Sequence, residues 1–257
     1  MSTATPPQQG YVKTIVTNNI ATIEFFHPQS NSLPSNLLTA LENEILSAGN
    51  NSLAKVIVLK SAGEKAFCAG ASFAELAAVT TEEEGATFFS GFAKVINALR
   101  RIPKLVIVRV QGKCVGGGIG LAAAADYCIA IEGADIKLSE LAMGIGPFVI
   151  GAAVERKIGI AAFSQLSIDA SNWQSAAWAE KKGLFTELHN SVENMDAAVE
   201  KLSLTLSQYN AEAMAEIKTM LWQGTSDWDE LLLERATISG KLVLSDFTKE
   251  AIAKFKK

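Results

Sequence analysis

The sequence predicts an α/β fold in which a mostly parallel sheet is covered on both faces and is followed by a helical C-terminal region. Two apolar runs, AKVIVLKSA and LVIVRVQG, lack the polar–apolar alternation of a half-exposed strand. Segments with helical spacing lie between such strands up to about Glu140, and strand signals become rare after Gly146. Because strands that are apolar on both faces need helices on both sides, this order favours a parallel sheet.

Local patterns predict the first elements. YVKTIVTNNIATIEFFHP alternates apolar and polar residues around an Asn-Asn pair, which predicts a hairpin. PSNLLTALENEILSAGN has apolar residues at helical spacing, with Ser35 or Asn36 as the N-cap and Gly49 near the C-terminal end. The run AKVIVLKSA then predicts a buried strand.

The remaining elements continue this order and then become helical. GATFFSGFAKVINALRRIPK predicts a helix that ends at Pro103, and LVIVRVQG predicts the next buried strand. DYCIAIEGADIKLSE predicts two short strands about a turn at Gly133, whereas SQLSIDASNWQSAAWAEKKGLF and VENMDAAVEKLSLTLSQYN predict helices. We expect a disordered lead over residues 1–10, a core with the functional site over 11–190, and a helical region over 191–257.

Composition excludes several classes of partner. The chain has 257 residues, 49% of them apolar, which is enough for one sizeable core. The formal net charge is −4 and the one basic block is the tail from Lys254 to Lys257, so we expect no nucleic-acid partner. We expect no membrane partner either, because no apolar stretch is long enough to span a bilayer.

The cysteines and histidines point to a reduced, cytoplasmic protein without a metal site. Cys68, Cys114 and Cys128 show no paired or C-x-x-C spacing. The two histidines, His27 and His189, lie far apart in the sequence and give little support to a metal site or a histidine-based triad. The polar, proline-rich first ten residues lack the features of a signal sequence.

A glycine run in KCVGGGIGLAAAADYCIA is the first candidate for chemistry. It follows a buried strand and precedes an apolar helix, so it leaves backbone N–H groups unpaired at a helix N-terminus. Glycine lets another group approach those donors closely, and the helix end favours negative charge. The motif therefore predicts either a site for an oxygen that becomes an anion or simply close helix–strand packing. A dinucleotide site is disfavoured because Leu121 breaks the G-x-G-x-x-G pattern.

A second small-residue turn lies in EKAFCAGASFAEL, where Ala69, Gly70 and Ala71 connect a buried segment to a helix. Turns after adjacent parallel strands open at the same edge of the sheet, where ligands of open α/β sheets bind. One N–H group from each turn would form a two-point oxyanion hole.

These stretches, together with IKLSELAMGIGP, resemble in order and spacing the signature of the enoyl-CoA hydratase/isomerase family, the crotonases. ATIEFFHPQSNSLP and SDFTKEAIAKFKK are also similar to the family's first strand and last helix, so the resemblance runs from about Tyr11 to Lys257. It implies repeated ββα units in two nearly perpendicular sheets, a helical trimerisation region, and a homotrimer or a dimer of trimers. It also implies an acyl-CoA thioester substrate, with coenzyme A as part of that substrate and no separate cofactor.

The resemblance assigns roles to individual positions. The two oxyanion donors fall on the N–H groups of Ala71 and Gly117, flanked by Ala69, Gly70 and Gly116. It places Lys65, Ala66 and Phe67 where members of the family contact coenzyme A. It places the basic tail where members of the family contact the phosphates of coenzyme A. A frayed, solvated end is the alternative for that tail.

Departures from the family's pattern bear on the reaction. Gly120 stands where the two-glutamate hydratases carry their first glutamate, and Glu140 stands where they carry the second. Phe148 stands where a dienoyl-CoA isomerase would carry an acid, and GPFVIGAAVERKIG replaces the usual loop of the acyl pocket. Hydration needs an activated water and a returned proton, whereas one base can move a double bond because the oxyanion hole stabilises the dienolate.

The favoured hypothesis is therefore a 3,2-enoyl-CoA isomerase with Glu140 as its base. A hydratase, or another lyase or hydrolase of this fold with a different acid, stays open, as does an acyl-CoA-binding protein with little turnover. Gly120 and Phe148 are expected to contact the substrate. Glu75 is expected to be an exposed helix residue, and Asp126 to have a structural hydrogen-bonding role.

Overall fold

Two β-sheets carry the fold in the computed structural model, which describes residues 9–255. In chain order, the strands of these residues are β1 (Tyr11–Thr17), β2 (Ile20–Phe26), β3 (Val56–Ser61), β4 (Ala66–Cys68), β5 (Leu105–Val110), β6 (Lys113–Val115), β7 (Tyr127–Ile131), β8 (Ile136–Lys137) and β9 (Glu187–His189). Most of the lead predicted to be disordered, residues 1–8, and Lys256 and Lys257 of the basic tail lie outside the described residues.

The larger sheet has six strands in the order β1-β2-β3-β5-β7-β9, and all neighbours except β1 and β2 run parallel. The hairpin predicted from the Asn-Asn pair is confirmed: Asn18 and Asn19 have φ values of 53° and 62° between β1 and β2. Asparagine tolerates this left-handed region, and two such residues make the turn whose twist matches a hairpin.

The smaller sheet has three parallel strands in the order β4-β6-β8. The strands β4 and β6 are not predicted from the sequence, because three residues carry no readable periodicity. The two strands predicted around Gly133 exist, but β7 belongs to the larger sheet and β8 to the smaller one. Each of β3, β5 and β7 is followed by a short strand of the smaller sheet and then by helical structure, which is the expected ββα repeat.

Several helices of the described residues match the predicted segments, but residues 169–175 are not helical and divide the segment 164–185, for which helix is predicted. The helices are α1 (Ser35–Asn50), α2 (Phe73–Leu76), α3 (Glu82–Arg101), α4 (Gly117–Ala123), α5 (Phe148–Ile168), α6 (Ala176–Lys181), α7 (Val192–Ser207), α8 (Ala211–Leu221), α9 (Trp228–Leu242) and α10 (Asp246–Phe255). Pro34, not Ser35 or Asn36, is the N-cap of α1, whereas Gly49 lies one residue before the last residue of α1, Asn50, as predicted. No helix among these is long and apolar enough to cross a membrane.

Helices cover both faces of the larger sheet, as its apolar strands predict. In β3, Ile57 and Leu59 join the main core with α1 and α3, whereas Val56 and Val58 pack with Met195 of α7 on the other face. The helix α7 therefore closes the second face of the sheet although it lies beyond residue 190. The division of the chain at that residue stays a prediction.

A buried cluster around Asp126 fixes the C-terminal region to the core. The Asp126 carboxylate accepts hydrogen bonds from the Val106 N–H and the Lys218 ammonium, each at 2.7 Å, and from the Trp222 indole N–H at 2.8 Å. Burial lowers the pKa of Lys218, and its contact with Asp126 opposes that effect. Asp126 thus has the structural role expected from the sequence.

Candidate active site

The two small-residue turns meet at one edge of the smaller sheet. Strand β4 leads into the Ala69–Ala71 turn, and β6 leads through Gly116 into α4. Gly70 has a φ of 88°, and a Cβ atom added to it would lie 3.3 Å from the Val115 carbonyl oxygen and 3.5 Å from the Gly117 nitrogen. Glycine at position 70 therefore lets one turn approach the backbone of the other.

The two predicted oxyanion donors have no acceptor within residues 9–255. Their neighbours do: the Ala69 N–H donates to the Ser30 carbonyl and the Gly116 N–H to the Lys137 carbonyl, both at 3.1 Å. Ala71 and Gly117 both line a cavity of about 370 Å³. Both donors are thus available for a ligand oxygen, which is what the oxyanion hypothesis requires.

Glu140 lies directly against this junction, at the end of the loop from β8 and before a short 3₁₀ helix (Leu141–Met143). Its Oε1 atom is 3.0 Å from the place of a Cβ atom on Gly116, so a side chain at position 116 would press on the carboxylate. The Glu140 Oε2 atom is buried and has no hydrogen-bond partner in the described part of the chain. An unpartnered buried carboxylate oxygen is costly, which makes Glu140 a candidate functional group.

Burial raises the pKa of Glu140 from 4.5 to about 7, while the backbone N–H groups of Glu140 and Ser139 lower it to a smaller extent. Desolvation disfavours the charged carboxylate, and no cation appears among the causes that offset it. A carboxyl group with a pKa near neutrality can accept a proton and return it under the same conditions. Glu140 therefore has the properties of a general acid–base in an apolar setting.

The cavity walls are mainly apolar and come from several parts of the chain. Phe148 lines the cavity as the sequence predicts. The other large apolar side chains of the wall are not predicted from the sequence; they are Phe73, Leu76, Phe88, Phe89, Phe92, Met143, Ile145, Val149, Ile150 and Trp173. An apolar wall with a few convergent polar groups is typical of small-molecule sites.

Comparison with known proteins decides the family. The family model described as enoyl-CoA hydratase/isomerase matches residues 16–255. The chain belongs to this family. A solved enoyl-CoA hydratase from Bacillus halodurans has a TM-score of 0.87 and 21% identity, covering 95% of this chain and 99% of that one, which confirms the crotonase fold.

Curated relatives of this family member match at modest identity. A short-chain-enoyl-CoA hydratase of Clostridium acetobutylicum is 29% identical over 240 residues, covering 92% of this chain and 90% of that protein. The mitochondrial methylglutaconyl-CoA hydratase of Rattus norvegicus is 31% identical over 172 residues, covering 66% of this chain and 54% of that protein. The Bacillus subtilis protein YngF is 34% identical over 137 residues, so the match spans 52% of both chains.

Gly120, a predicted substrate contact, lies in the α4–α5 contact and does not line the cavity. A Cβ atom added to Gly120 would lie 2.6 Å from Cγ2 and 2.9 Å from Cβ of Ile150. An aliphatic side chain from α5 thus occupies the space that any side chain at position 120 would enter. The contact joins residues far apart in sequence, so no local pattern could have shown it.

The segment expected to contact coenzyme A does not line the cavity either. Lys65 is exposed, whereas Ala66 and Phe67 are buried. The Ala66 carbonyl accepts from the Asn31 side-chain amide at 2.9 Å, and the Phe67 ring packs on Phe25 with centroids 5.6 Å apart. The side chains of Ala66 and Phe67 therefore serve the core, and contact of this segment with coenzyme A stays a prediction.

Two other acids make local structural hydrogen bonds, and Glu75, which the sequence predicts to be exposed, is half-buried. The Glu75 carboxylate accepts from the Ser35 N–H at 2.9 Å and from the Ser35 hydroxyl at 2.7 Å, and it does not line the cavity. Glu84 forms a capping box with Thr81 at the start of α3. Within residues 9–255, no group of three or more His, Cys, Asp or Glu residues is arranged to hold a metal ion.

Proposed function

We propose that this enoyl-CoA hydratase/isomerase family member moves the double bond of a 3-enoyl-CoA to the 2,3 position, with Glu140 as the single proton carrier. The observation that carries the proposal is that Glu140 is the one acid among the residues lining the cavity in the described chain. The Gly120–Ile150 contact supports it, because a second carboxylate at position 120 would overlap Ile150. The family acts on acyl-CoA thioesters, and no cofactor besides the coenzyme A of the substrate is proposed.

The proposed mechanism uses three groups. The thioester oxygen accepts hydrogen bonds from the N–H groups of Ala71 and Gly117, which strengthen as the oxygen gains charge in the dienolate. The Glu140 carboxylate removes a proton from the α-carbon, and the electron pair of that C–H bond enters the dienolate. The protonated Glu140 then returns a proton to the γ-carbon, which leaves the double bond between the α- and β-carbons and regenerates the carboxylate.

Hydration is the second candidate, because the relatives from Clostridium acetobutylicum and Rattus norvegicus are named hydratases. The Xenopus tropicalis relative, 29% identical over 137 residues, is named ethylmalonyl-CoA decarboxylase. Relatives at this level of identity are therefore named for different reactions. Hydration by this chain would need an activated water and a proton returned to the α-carbon, with Glu140 as the one cavity-lining acid of the described residues. Acyl-CoA binding with little turnover is the third candidate.

A near-ultraviolet assay with 3-hexenoyl-CoA and 2-hexenoyl-CoA separates the three candidates. Conjugated 2-enoyl thioesters absorb near-ultraviolet light that 3-enoyl thioesters lack. We expect absorbance to rise with 3-hexenoyl-CoA and to show no hydration-dependent loss with 2-hexenoyl-CoA. Efficient loss of absorbance with 2-hexenoyl-CoA would make the protein a hydratase. If both thioesters bind and neither changes in absorbance, the protein is a binding protein.

We also propose that the chain forms a trimer or a dimer of trimers. Some large apolar side chains of the C-terminal helical region are buried within this chain: Leu202 and Leu206 pack against the larger sheet, and Trp222 and Leu232 lie in the core. The large apolar side chains that stay exposed on α7, α8 and α9 are Leu204, Ile217, Met220, Leu221, Leu233 and Ile238. Burial of this surface between copies is favourable. Sedimentation at micromolar concentration is expected to show no monomer, and a monomer would refute the proposal.

A further inference from the structure

A cationic side chain lines the otherwise apolar cavity. Of the cavity-lining residues in the described chain, Lys137 is the only lysine or arginine. No salt bridge within residues 9–255 includes Lys137 or the nearby Lys113. The Lys137 ammonium donates one hydrogen bond, to the Ser171 carbonyl at 2.7 Å, and an ammonium has three donors. The proposed isomerisation gives neither lysine a task.

Strand register directs both lysines to the same side as the cavity. Val115 of β6 pairs with Lys137 of β8, and paired residues of neighbouring strands share a face of the sheet. Lys113 lies two residues before Val115, so its side chain shares that face. Val115 and Lys137 both line the cavity, which places Lys113 beside its edge.

The indole ring of Trp173 lies close to both ammonium groups. The Nζ atoms of Lys113 and Lys137 lie 4.7 and 5.8 Å from the ring centroid of Trp173. Paired hydrogen bonds of 2.9 Å between Ile136 and Gln174 hold the Trp173 segment beside β8. Cations are attracted to an indole face, but two like charges at one ring repel each other. A bound anion would relieve this repulsion.

The spacing along the strand indicates where that anion would sit. Lys137 pairs with Val115, which lies two residues before the proposed oxyanion donor Gly117, and two residues of chain span at most about 7 Å. A carboxylate five or six carbons from the thioester carbonyl spans such a distance. The phosphates of coenzyme A lie much farther from the thioester, beyond the whole pantetheine arm, so the geometry favours a charge on the acyl group.

We propose that Lys137, supported by Trp173 and Lys113, binds a carboxylate at the far end of the acyl chain. The substrate class is then the thioester of a dicarboxylic acid, with one carboxyl group joined to coenzyme A and the other free. This inference deepens the proposed function and rests on it for the entry of an acyl-CoA into the cavity. It does not depend on whether the double bond then moves.

Calorimetric titration with hexanoyl-CoA and adipyl-CoA tests the inference. Both acyl groups have six carbons and no double bond, so binding is measured without turnover, and failure of the isomerase proposal cannot be mistaken for failure here. We expect adipyl-CoA to bind about tenfold more tightly than hexanoyl-CoA to the parent protein. Lys137→Met should abolish this preference, and Lys137→Arg should restore most of it. Lys201→Met, which removes an exposed lysine of α7, is the matched control and should keep the parental ratio.

Two results would overturn the inference. One is the absence of a preference that depends on Lys137: either the parent binds adipyl-CoA no more tightly than hexanoyl-CoA, or Lys137→Met still binds adipyl-CoA more tightly. The other is an equal loss of affinity for both ligands in Lys137→Met that disappears when hexanoyl- and adipyl-pantetheine, which lack the phosphates, replace the coenzyme A thioesters. That second result would assign the lysine to a phosphate of coenzyme A.

Discussion

Glu140→Gln is expected to lower kcat for isomerisation of 3-hexenoyl-CoA by about 10²–10⁴-fold, the usual contribution of a positioned general base. Glutamine keeps the length and shape of the side chain but cannot accept the α-proton. The Ala71 and Gly117 N–H groups and the apolar wall are unchanged, so binding of hexanoyl-CoA should persist. Turnover is measured by the rise in near-ultraviolet absorbance, and binding by calorimetry.

The pH profile supplies a second signature of the same residue. Because burial raises the pKa of Glu140 to about 7, the base form accumulates only as the pH rises through that value. The parent kcat/KM should therefore rise between about pH 6 and 8 and then level off. The small residual activity of Glu140→Gln should lack this rise.

The contribution of Glu140 to the free energy of unfolding should change with pH in the opposite direction to its contribution to activity. A carboxyl group whose pKa is higher in the folded state is best tolerated below its unfolded value near 4.5, and its ionisation costs folding free energy as the pH rises towards 7. Glu140→Gln should thus be more stable than the parent at pH 8, by on the order of 3 kcal/mol, with little difference at pH 4.5. Denaturant unfolding at the two pH values measures the change.

Glu75→Gln is the matched control for these measurements. Glu75 is also a glutamate near the first turn, but its carboxylate accepts from Ser35 and does not line the cavity. Its activity and pH profile should stay within a few-fold of the parent. A Glu140→Gln variant that isomerises 3-hexenoyl-CoA at the parental rate would show that the single-base mechanism is wrong.

Local signals predict most of the elements and the place where the turns meet. The hairpin at Asn18–Asn19 and the helices α1 and α3 depend on turn chemistry and periodicity within one segment. The two glycine-containing turns are readable because they follow buried strands and precede helices. The turns place Ala71 and Gly117 beside one cavity, and the loop after β8 places Glu140 beside the same cavity.

The parts that could not be predicted depend on contacts between distant segments. The overlap of position 120 with Ile150 involves two different helices, and only the packed structure reveals it. The Ile136–Gln174 hydrogen bonds hold Trp173 beside Lys113 and Lys137. No local sequence pattern predicts these hydrogen bonds. Chemistry at the junction was therefore accessible from sequence, whereas the shape and charge of the surrounding cavity were not.

Gly117→Ala should have the next largest effect, lowering kcat/KM by about 10²-fold, the scale of losing one oxyanion donor. A Cβ atom at position 117 would lie 2.2–2.6 Å from three ring atoms of Phe92, which is buried and also lines the cavity. Either the start of α4 shifts and its N–H group leaves the oxyanion position, or the Phe92 ring moves into the substrate space. Overpacking of this kind should also cost about 1–3 kcal/mol of stability.

Two companion variants show whether that loss comes from the overlap. Gly133→Ala places a methyl group in an exposed turn where the nearest atom, Cδ1 of Ile131, is 3.8 Å away, so activity and melting temperature should be unchanged. Phe92→Leu shortens the opposing side chain, so adding Gly117→Ala to it should cost less activity than adding Gly117→Ala to the parent. An unchanged kcat/KM and melting temperature for Gly117→Ala alone would contradict the tight contact. A lower melting temperature with full activity would instead remove Gly117 from the oxyanion site, because a donor displaced from the thioester oxygen must slow the step that forms the dienolate.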